Sequence, residues 1–128
     1  MNANRLGDLS EDKLKLLLKA WLETQGWQVS VAWGKTHGAD IEATKAGTLW
    51  IIEVKGIGSR NAMRVNYFLA ILGETLQRMN DPTAKYSVAL PDIPQFNGLW
   101  ERLPKLAKSR TGITALLVDD QGKIRELS

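Results

Sequence analysis

Residues 40–55 read DIEATKAGTLWIIEVK, and they are the most informative segment of this 128-residue chain. Polar and apolar side chains alternate from Asp40 to Ala43, and the residues from Thr48 onward are apolar or β-branched until Glu53. The stretch between these runs contains Gly47 and is typical of a tight turn. The segment therefore predicts a β-hairpin whose second strand ends in charged residues.

The far end of this second strand carries Glu53 and Lys55, which share one face because side chains alternate along a strand. Val54 points to the other face. An acid and a base that close an apolar strand would be costly to bury without partners. We therefore expect both side chains where the sheet opens to solvent and to a ligand.

The length of the hairpin loop decides how Asp40 and Glu53 meet. A loop of two or four residues places Asp40 opposite Glu53, so that both carboxylates lie on one face. A three-residue loop with Gly47 in a bulge would place them on opposite faces. Directly opposed like charges destabilise a sheet, and a divalent cation held by both carboxylates is the usual compensation. An even loop thus favours a site with the hard oxygen ligands that Mg²⁺ prefers.

The residues HGAD at 37–40 and EVKG at 53–56 resemble the PD-(D/E)XK nuclease superfamily, which shares the restriction endonuclease-like fold with Holliday junction resolvases. Ala39 stands where the superfamily name has proline. The resemblance implies that Asp40, Glu53 and the backbone carbonyl of Val54 bind Mg²⁺, for which Mn²⁺ can substitute. It also implies that Lys55 orients or activates the attacking water.

The function implied by this resemblance is Mg²⁺-dependent hydrolysis of phosphodiester bonds. DNA is the expected substrate, and RNA stays open as the alternative. A catalytically inactive nucleic-acid-binding or assembly module on the same fold is the alternative. Because little surface lies outside the core, we expect a homodimer or another subunit to supply specificity. Endonuclease and exonuclease action, and the biological pathway, stay open.

Several other residues are candidates for the site, each with a structural alternative. By resemblance, Glu11 could add a third metal-binding acid from the first helix, or it could simply stabilise the helix dipole. Either Glu74 or Gln77 could complete the catalytic set from the second helix, or both could belong to a solvated helix face. His37 could contact a phosphate or a water, or it could be a loop histidine without a catalytic part.

Arg60 and Arg64 follow the catalytic strand within about ten residues. Basic residues at the start of a helix have no local structural advantage, which favours contacts with a nucleic-acid backbone. The basic residues between positions 102 and 110 are instead explained as a solvated helix face.

The remaining periodicities predict an α/β protein. Ser10 is expected to cap a helix that ends at Gly26, residues 27–33 alternate as a strand, and residues 62–79 form a second helix. A strand over 86–90, a helical region over 96–110 interrupted at Pro104, and a hairpin over 113–127 complete the chain. This order predicts a restriction endonuclease-like αβββαβ core with a mixed central sheet flanked by helices, plus a C-terminal helix and β-hairpin. We expect a single domain over 1–128. Its core covers about 8–90, and residues 91–128 form an elaboration. All five tryptophans are expected in the core or at its edge.

Composition excludes several other kinds of site. The chain has no cysteine and one histidine, so disulfides, thiolate metal sites and histidine-built zinc sites are not expected. No apolar run reaches membrane-spanning length, and a cytoplasmic protein is expected. The net charge of +3 is compatible with a nucleic-acid partner but does not establish one.

Overall fold

A computed structural model describes residues 9–34, 38–58 and 60–128. The elements are α1 (Glu11–Thr24), β1 (Gln28–Val31), β2 (Ile41–Lys45), β3 (Thr48–Val54), a 3₁₀ turn (Asn61–Met63), α2 (Arg64–Arg78), β4 (Lys85–Pro91), α3 (Pro94–Arg102), α4 (Lys105–Thr111), β5 (Thr114–Val118) and β6 (Ile124–Leu127). The strands form one six-stranded mixed sheet in the order β1-β2-β3-β4-β5-β6. The first three strands are antiparallel, β3, β4 and β5 are parallel, and β6 is antiparallel to β5. The predicted α/β class, a mixed central sheet flanked by helices, is confirmed.

Helix α1 begins as the sequence predicts. The side chain of Ser10 accepts a hydrogen bond from the Lys13 N–H at 3.3 Å, and two acidic residues occupy the first turn. Gly26 follows the helix with a φ of 90°, a left-handed conformation that glycine adopts readily.

The helices cover both faces of the sheet. Leu14, Leu18 and Leu22 of α1 pack in one core with Ile52 and Val54 of β3. The other core lies on the opposite face of the sheet, where buried residues of α2 and α3 pack against β3, β4 and β5. Its helix residues are Phe68, Ile71, Phe96 and Trp100, and its strand residues are Ile51, Val88, Leu90 and Leu117. Strand β3 is buried on both sides, as expected for a strand with neighbours on each side and helices above and below.

The hairpin between β2 and β3 has the even loop that the metal-site hypothesis requires. Lys45 pairs with Thr48, and the two residues between them, Ala46 and Gly47, have φ values of 50° and 81°. Positive φ at both loop residues matches a type I′ turn, whose twist suits a two-residue hairpin. The bulge alternative is therefore excluded.

Three boundaries differ from the prediction. Strand β1 is shorter than residues 27–33, and Trp33 beyond its end is 41% exposed, so the placement of Trp33 in the core or at its edge is wrong. The second helix starts with the 3₁₀ turn before α2. The third helical region begins at Pro94 and is split at Pro104, where the sequence predicted an interruption. Across the described ranges, no helix is both long and apolar enough to cross a membrane.

Candidate active site

The site lies where the ladder between β2 and β3 ends. The last paired residues are Ile41 and Ile52, so the next positions are Asp40 and Glu53. At these positions, hydrogen bonds from backbone N–H groups to side-chain carboxylates link the two strands in place of backbone-to-backbone bonds. The Asp40 N–H donates to Glu53 Oε2 at 2.9 Å, and the Val54 N–H donates to Asp40 Oδ2 at 2.8 Å. The predicted opposition of the two carboxylates is confirmed, and each satisfies a backbone donor of the other strand.

Glu53 is the more deeply buried acid of the pair, so the expectation that its side chain opens to solvent is wrong. Its residue is 3% exposed, and burial raises the pKa of its carboxyl above the ordinary value. The hydrogen bond from Asp40 N–H lowers that pKa, while the nearby Asp40 and Glu74 carboxylates raise it and Arg78 lowers it. Arg78 Nε lies 3.7 Å from Glu53 Oε1, and Arg78 Nη2 donates to the Gly38 carbonyl at 2.9 Å. Arg78 thus ties helix α2 to the acid pair and to the loop that precedes Asp40.

Asp40 meets a different cation on the other side of the sheet. Lys15 Nζ of α1 lies 3.5 Å from Asp40 Oδ1 and 3.2 Å from Glu11 Oε2. It also donates to the Ala32 carbonyl at 2.6 Å. Lys15 is 1% exposed, so this ammonium is an internal part of the site. The Lys15 ammonium thus lies between the Glu11 and Asp40 carboxylates and links them.

Lys55 follows directly after β3 and faces an open groove of about 460 Å³. Its Nζ lies 5.5 Å from the centre of the Tyr67 ring of α2, a cation–π contact. Both Lys55 and Glu53 approach residues of α2, in keeping with the shared face that the sequence predicts. The groove is lined by Ser10, Glu11, Lys55, Gly56, Ile57, Gly58 and Tyr67.

Gly56 brings the end of β3 close to the start of α1. A Cβ at this position would lie 2.8 Å from the Ser10 carbonyl carbon and closer still to the Glu11 backbone nitrogen. The Ile57 N–H donates to the Leu9 carbonyl at 2.9 Å. The segment that carries Lys55 is therefore fixed against the helix that carries Glu11 and Lys15.

The two predicted phosphate-binding arginines differ in their surroundings. Arg60 is exposed. Arg64 donates through Nε to the Ile57 carbonyl at 3.2 Å, and through Nη1 to Asn61 Oδ1 and Gln95 Oε1 at 3.1 and 3.4 Å. Arg64 therefore holds the loop after β3 against α3, whatever contacts it makes with a ligand.

The remaining candidates, Glu74, Gln77 and His37, differ in how near the structure places them to the acid pair. Glu74 is exposed on α2, yet it is close enough to Glu53 to raise the pKa of that carboxyl. Gln77 is also exposed. His37 lies outside the described residues, so its predicted contact with a phosphate or a water is not located. The roles of Glu11, Glu74, Gln77 and His37 stay predictions.

The site offers oxygen ligands of the kind that suits Mg²⁺. Asp40 Oδ1 and Glu53 Oε1 are the carboxylate oxygens not used by the hairpin backbone. The Val54 carbonyl faces the same strand edge as its N–H, because both groups of a strand residue point to one side. Within the described ranges, no three or more His, Cys, Asp or Glu side chains are grouped to hold a metal. The donors thus fit an ion that retains water, as Mg²⁺ does, and not an all-protein cage.

Two functional candidates were not identified from the sequence. Lys15 lies three and seven residues before Leu18 and Leu22, a spacing that places it on the inner face of α1. That spacing is the one sequence feature that could have identified Lys15 as an inward-facing residue. Arg78 is the last residue of α2, where a basic residue is explained by the helix dipole alone. No local pattern links it to Glu53, which is distant in sequence.

The described sheet, helices and acid pair define the class: an α/β protein in which a hairpin in a mixed sheet presents two carboxylates and a lysine. Two solved structures have this fold. An XisH family protein from Nostoc punctiforme matches with a TM-score of 0.61 and 21% identity, over 90% of this chain and 98% of that one. An FdxN element excision controlling factor protein from Anabaena variabilis matches with a TM-score of 0.62 and 20% identity, over 91% and 99%. No protein-family model and no curated protein matches the chain.

Proposed function

We propose that this chain is a metal-dependent nuclease that hydrolyses phosphodiester bonds, in DNA rather than RNA, with Mg²⁺ or Mn²⁺ as the ion. The single observation that carries the proposal is the pair of mutual hydrogen bonds between Asp40 and Glu53 at the ladder end. A sheet needs no buried acid there. Glu53 is a carboxylic acid at a buried position that raises its pKa, and a perturbed pKa of this kind is typical of a functional group.

Three groups of the chain would hold the ion: Asp40 Oδ1, Glu53 Oε1 and the Val54 carbonyl. When bound, the ion would supply Lewis-acid stabilisation of the charge that develops on the phosphate and would lower the pKa of a water. The protein's own contribution is position. Mutual hydrogen bonds fix both carboxylates, so little reorganisation accompanies the reaction.

Lys55 would act from the groove beside the acid pair. Its ammonium can donate a hydrogen bond to the attacking water and stabilise negative charge on the phosphate. The contact with the Tyr67 ring and the close approach of Gly56 to α1 limit the positions of this side chain. Arg60 is exposed a few residues further on and would contact the nucleic-acid backbone.

A non-catalytic nucleic-acid-binding or assembly module is the second candidate. One observation favours it: Lys15 and Arg78 already face the free oxygens of Asp40 and Glu53 at 3.5 and 3.7 Å. Two protein cations could neutralise the acid pair without a metal. The expected homodimer or additional subunit stays a proposal under either function.

A cleavage assay tests the proposal. The purified chain is incubated with single-stranded, duplex and branched DNA and with RNA, in Mg²⁺, in Mn²⁺ and in EDTA, beside the Glu53→Gln variant. We expect divalent-metal-dependent cleavage of at least one DNA substrate and none by the variant. Binding without cleavage under every condition would favour the second candidate.

A further inference from the structure

Lys15 is a charged residue inside an apolar helix face. It is 1% exposed, and its neighbours along that face, Leu18 and Leu22, are fully buried. Removing an ammonium from water is unfavourable unless partners replace its hydration. A lysine in this position therefore has to be matched by oxygen atoms of the protein.

The matching oxygens come from three different segments. The Ala32 carbonyl follows β1, Glu11 Oε2 belongs to the first turn of α1, and Asp40 Oδ1 belongs to the acid pair, at 2.6, 3.2 and 3.5 Å from Nζ. Two carboxylates and a carbonyl are also a donor set that Mg²⁺ or Mn²⁺ accepts. The ammonium thus occupies a cation position next to the one formed by Asp40, Glu53 and the Val54 carbonyl.

We propose that Lys15 is a built-in second cation that limits this site to one divalent ion. The inference rests on the proposed function, because it assumes that Asp40 and Glu53 bind the first ion. It assigns Glu11 to Lys15 and not to the metal. A second divalent ion at Glu11 and Asp40 would have to displace a buried ammonium or lie against it, and like charges so close repel strongly.

The opposite side of the acid pair is closed in a similar way. Arg78 of α2 lies 3.7 Å from Glu53 Oε1, but its side chain is 40% exposed and can move towards solvent. Lys15 cannot do so without leaving the core. The asymmetry indicates that an incoming ion displaces Arg78 while Lys15 stays, and that Asp40 is shared between the ion and Lys15.

The test counts Mn²⁺ ions per chain by titration calorimetry and by the electron paramagnetic resonance spectrum, so it does not depend on activity. We expect one ion in wild type, two in Lys15→Met, and one in Lys15→Arg, which keeps the charge. The Lys15→Met spectrum should show coupling between two neighbouring Mn²⁺ ions. Its melting temperature without metal should be below that of wild type, and its rise with Mn²⁺ should be larger.

The wild-type count and the variant difference answer separate questions. A wild type that binds no Mn²⁺ overturns the proposed function, whereas one ion in both wild type and Lys15→Met overturns the role of Lys15. Two ions in wild type would also overturn it.

A second variant keeps the inference testable if Lys15→Met does not fold. Glu11→Gln should still bind one Mn²⁺ ion, with an affinity within about tenfold of wild type. Asp40→Asn should weaken the Mn²⁺ affinity by more than roughly 100-fold, which is the largest loss expected when a residue that only contacts a metal ligand is changed. Glu11→Gln with the same loss as Asp40→Asn would make Glu11 a ligand and would contradict the proposal.

Discussion

Asp40 and Glu53 each accept a hydrogen bond from the backbone of the other's strand, Asp40 Oδ2 from the Val54 N–H and Glu53 Oε2 from the Asp40 N–H. The exchange occurs one position past the last ladder pair. It holds two acids in contact, and it leaves one oxygen of each carboxylate for another partner. The chemistry of the site follows from what those two oxygens bind.

The first prediction concerns the metal. Mg²⁺ or Mn²⁺ should raise the melting temperature of the wild type, because an ion that binds only the folded chain stabilises it by mass action. Asp40→Asn should lose most of that rise. Differential scanning fluorimetry across a metal titration measures both.

Glu42→Gln is the matched control for this prediction. Glu42 lies two residues away on β2 and is exposed. Its variant should keep the full metal-induced rise. An equal rise in wild type and Asp40→Asn would place the metal at other residues.

The second prediction is a pH dependence due to Glu53. Its raised pKa means that the folded chain binds this proton more tightly than the unfolded chain. The stability that the group contributes is therefore present below the ordinary glutamate pKa of 4.5 and is lost as the pH rises through the raised value. Without metal, Glu53→Gln should become more stable than wild type above this window.

Urea denaturation in EDTA at a series of pH values measures this difference. The gap between Glu53→Gln and wild type should grow from acidic to neutral pH, and Glu42→Gln should track wild type. A gap that does not change with pH would mean that burial does not perturb Glu53.

The third prediction concerns the contact between the end of β3 and α1. Gly56→Ala should destabilise the chain by about 1–3 kcal/mol, because the new Cβ meets backbone atoms of Ser10 and Glu11 that cannot turn away. Gly73→Ala is the matched control. A Cβ on Gly73 of α2 has open space around it, so that variant should be stabilised by up to about 1 kcal/mol. Two variants of equal stability in chemical denaturation would contradict this packing.

The fourth prediction places the nucleic acid. Each phosphate contact contributes about 0.9 to the slope of log affinity against log salt, so neutralising Arg60 and Arg64 together should make the slope shallower by about two. Binding should weaken alike for all sequences, because backbone contacts carry no sequence information. Fluorescence anisotropy over a salt series measures the slope.

A distal triple variant of Arg102, Lys105 and Lys108 on α3 and α4 is the comparison for this prediction. It should keep the wild-type slope. If it flattens the slope while the Arg60 and Arg64 double variant does not, the nucleic acid runs over the C-terminal part of the chain.

The hairpin was predictable because its signals are local. Alternation in Asp40 to Ala43 and the glycine at position 47 predict two strands joined by a turn. The sequence allowed loops of two, three or four residues, so the register that brings Asp40 opposite Glu53 follows from the two-residue loop in the structure. The helix start at Ser10 and the interruption at Pro104 are equally local.

The cations at the site were not predictable in the same way. Lys15 carries a spacing that marks it as an inward residue, but its partners at Ala32 and Asp40 belong to other elements. Arg78 meets Glu53 only because α2 crosses the sheet beside β3, which no sequence period encodes. The exposure of Trp33 has a similar cause, since β1 ends two residues before it.

Lys55 offers the most direct measurement of whether the chain is an enzyme. Lys55→Ala should reduce metal-dependent cleavage by about 100-fold or more, the scale on which a positioned electrostatic or proton-transfer group acts. Its nucleic-acid affinity should stay within a few-fold of wild type. The exposed Lys13→Ala on α1 serves as the control and should alter neither quantity. A Lys55→Ala chain that loses affinity while wild type cuts no substrate with any divalent metal would contradict the nuclease.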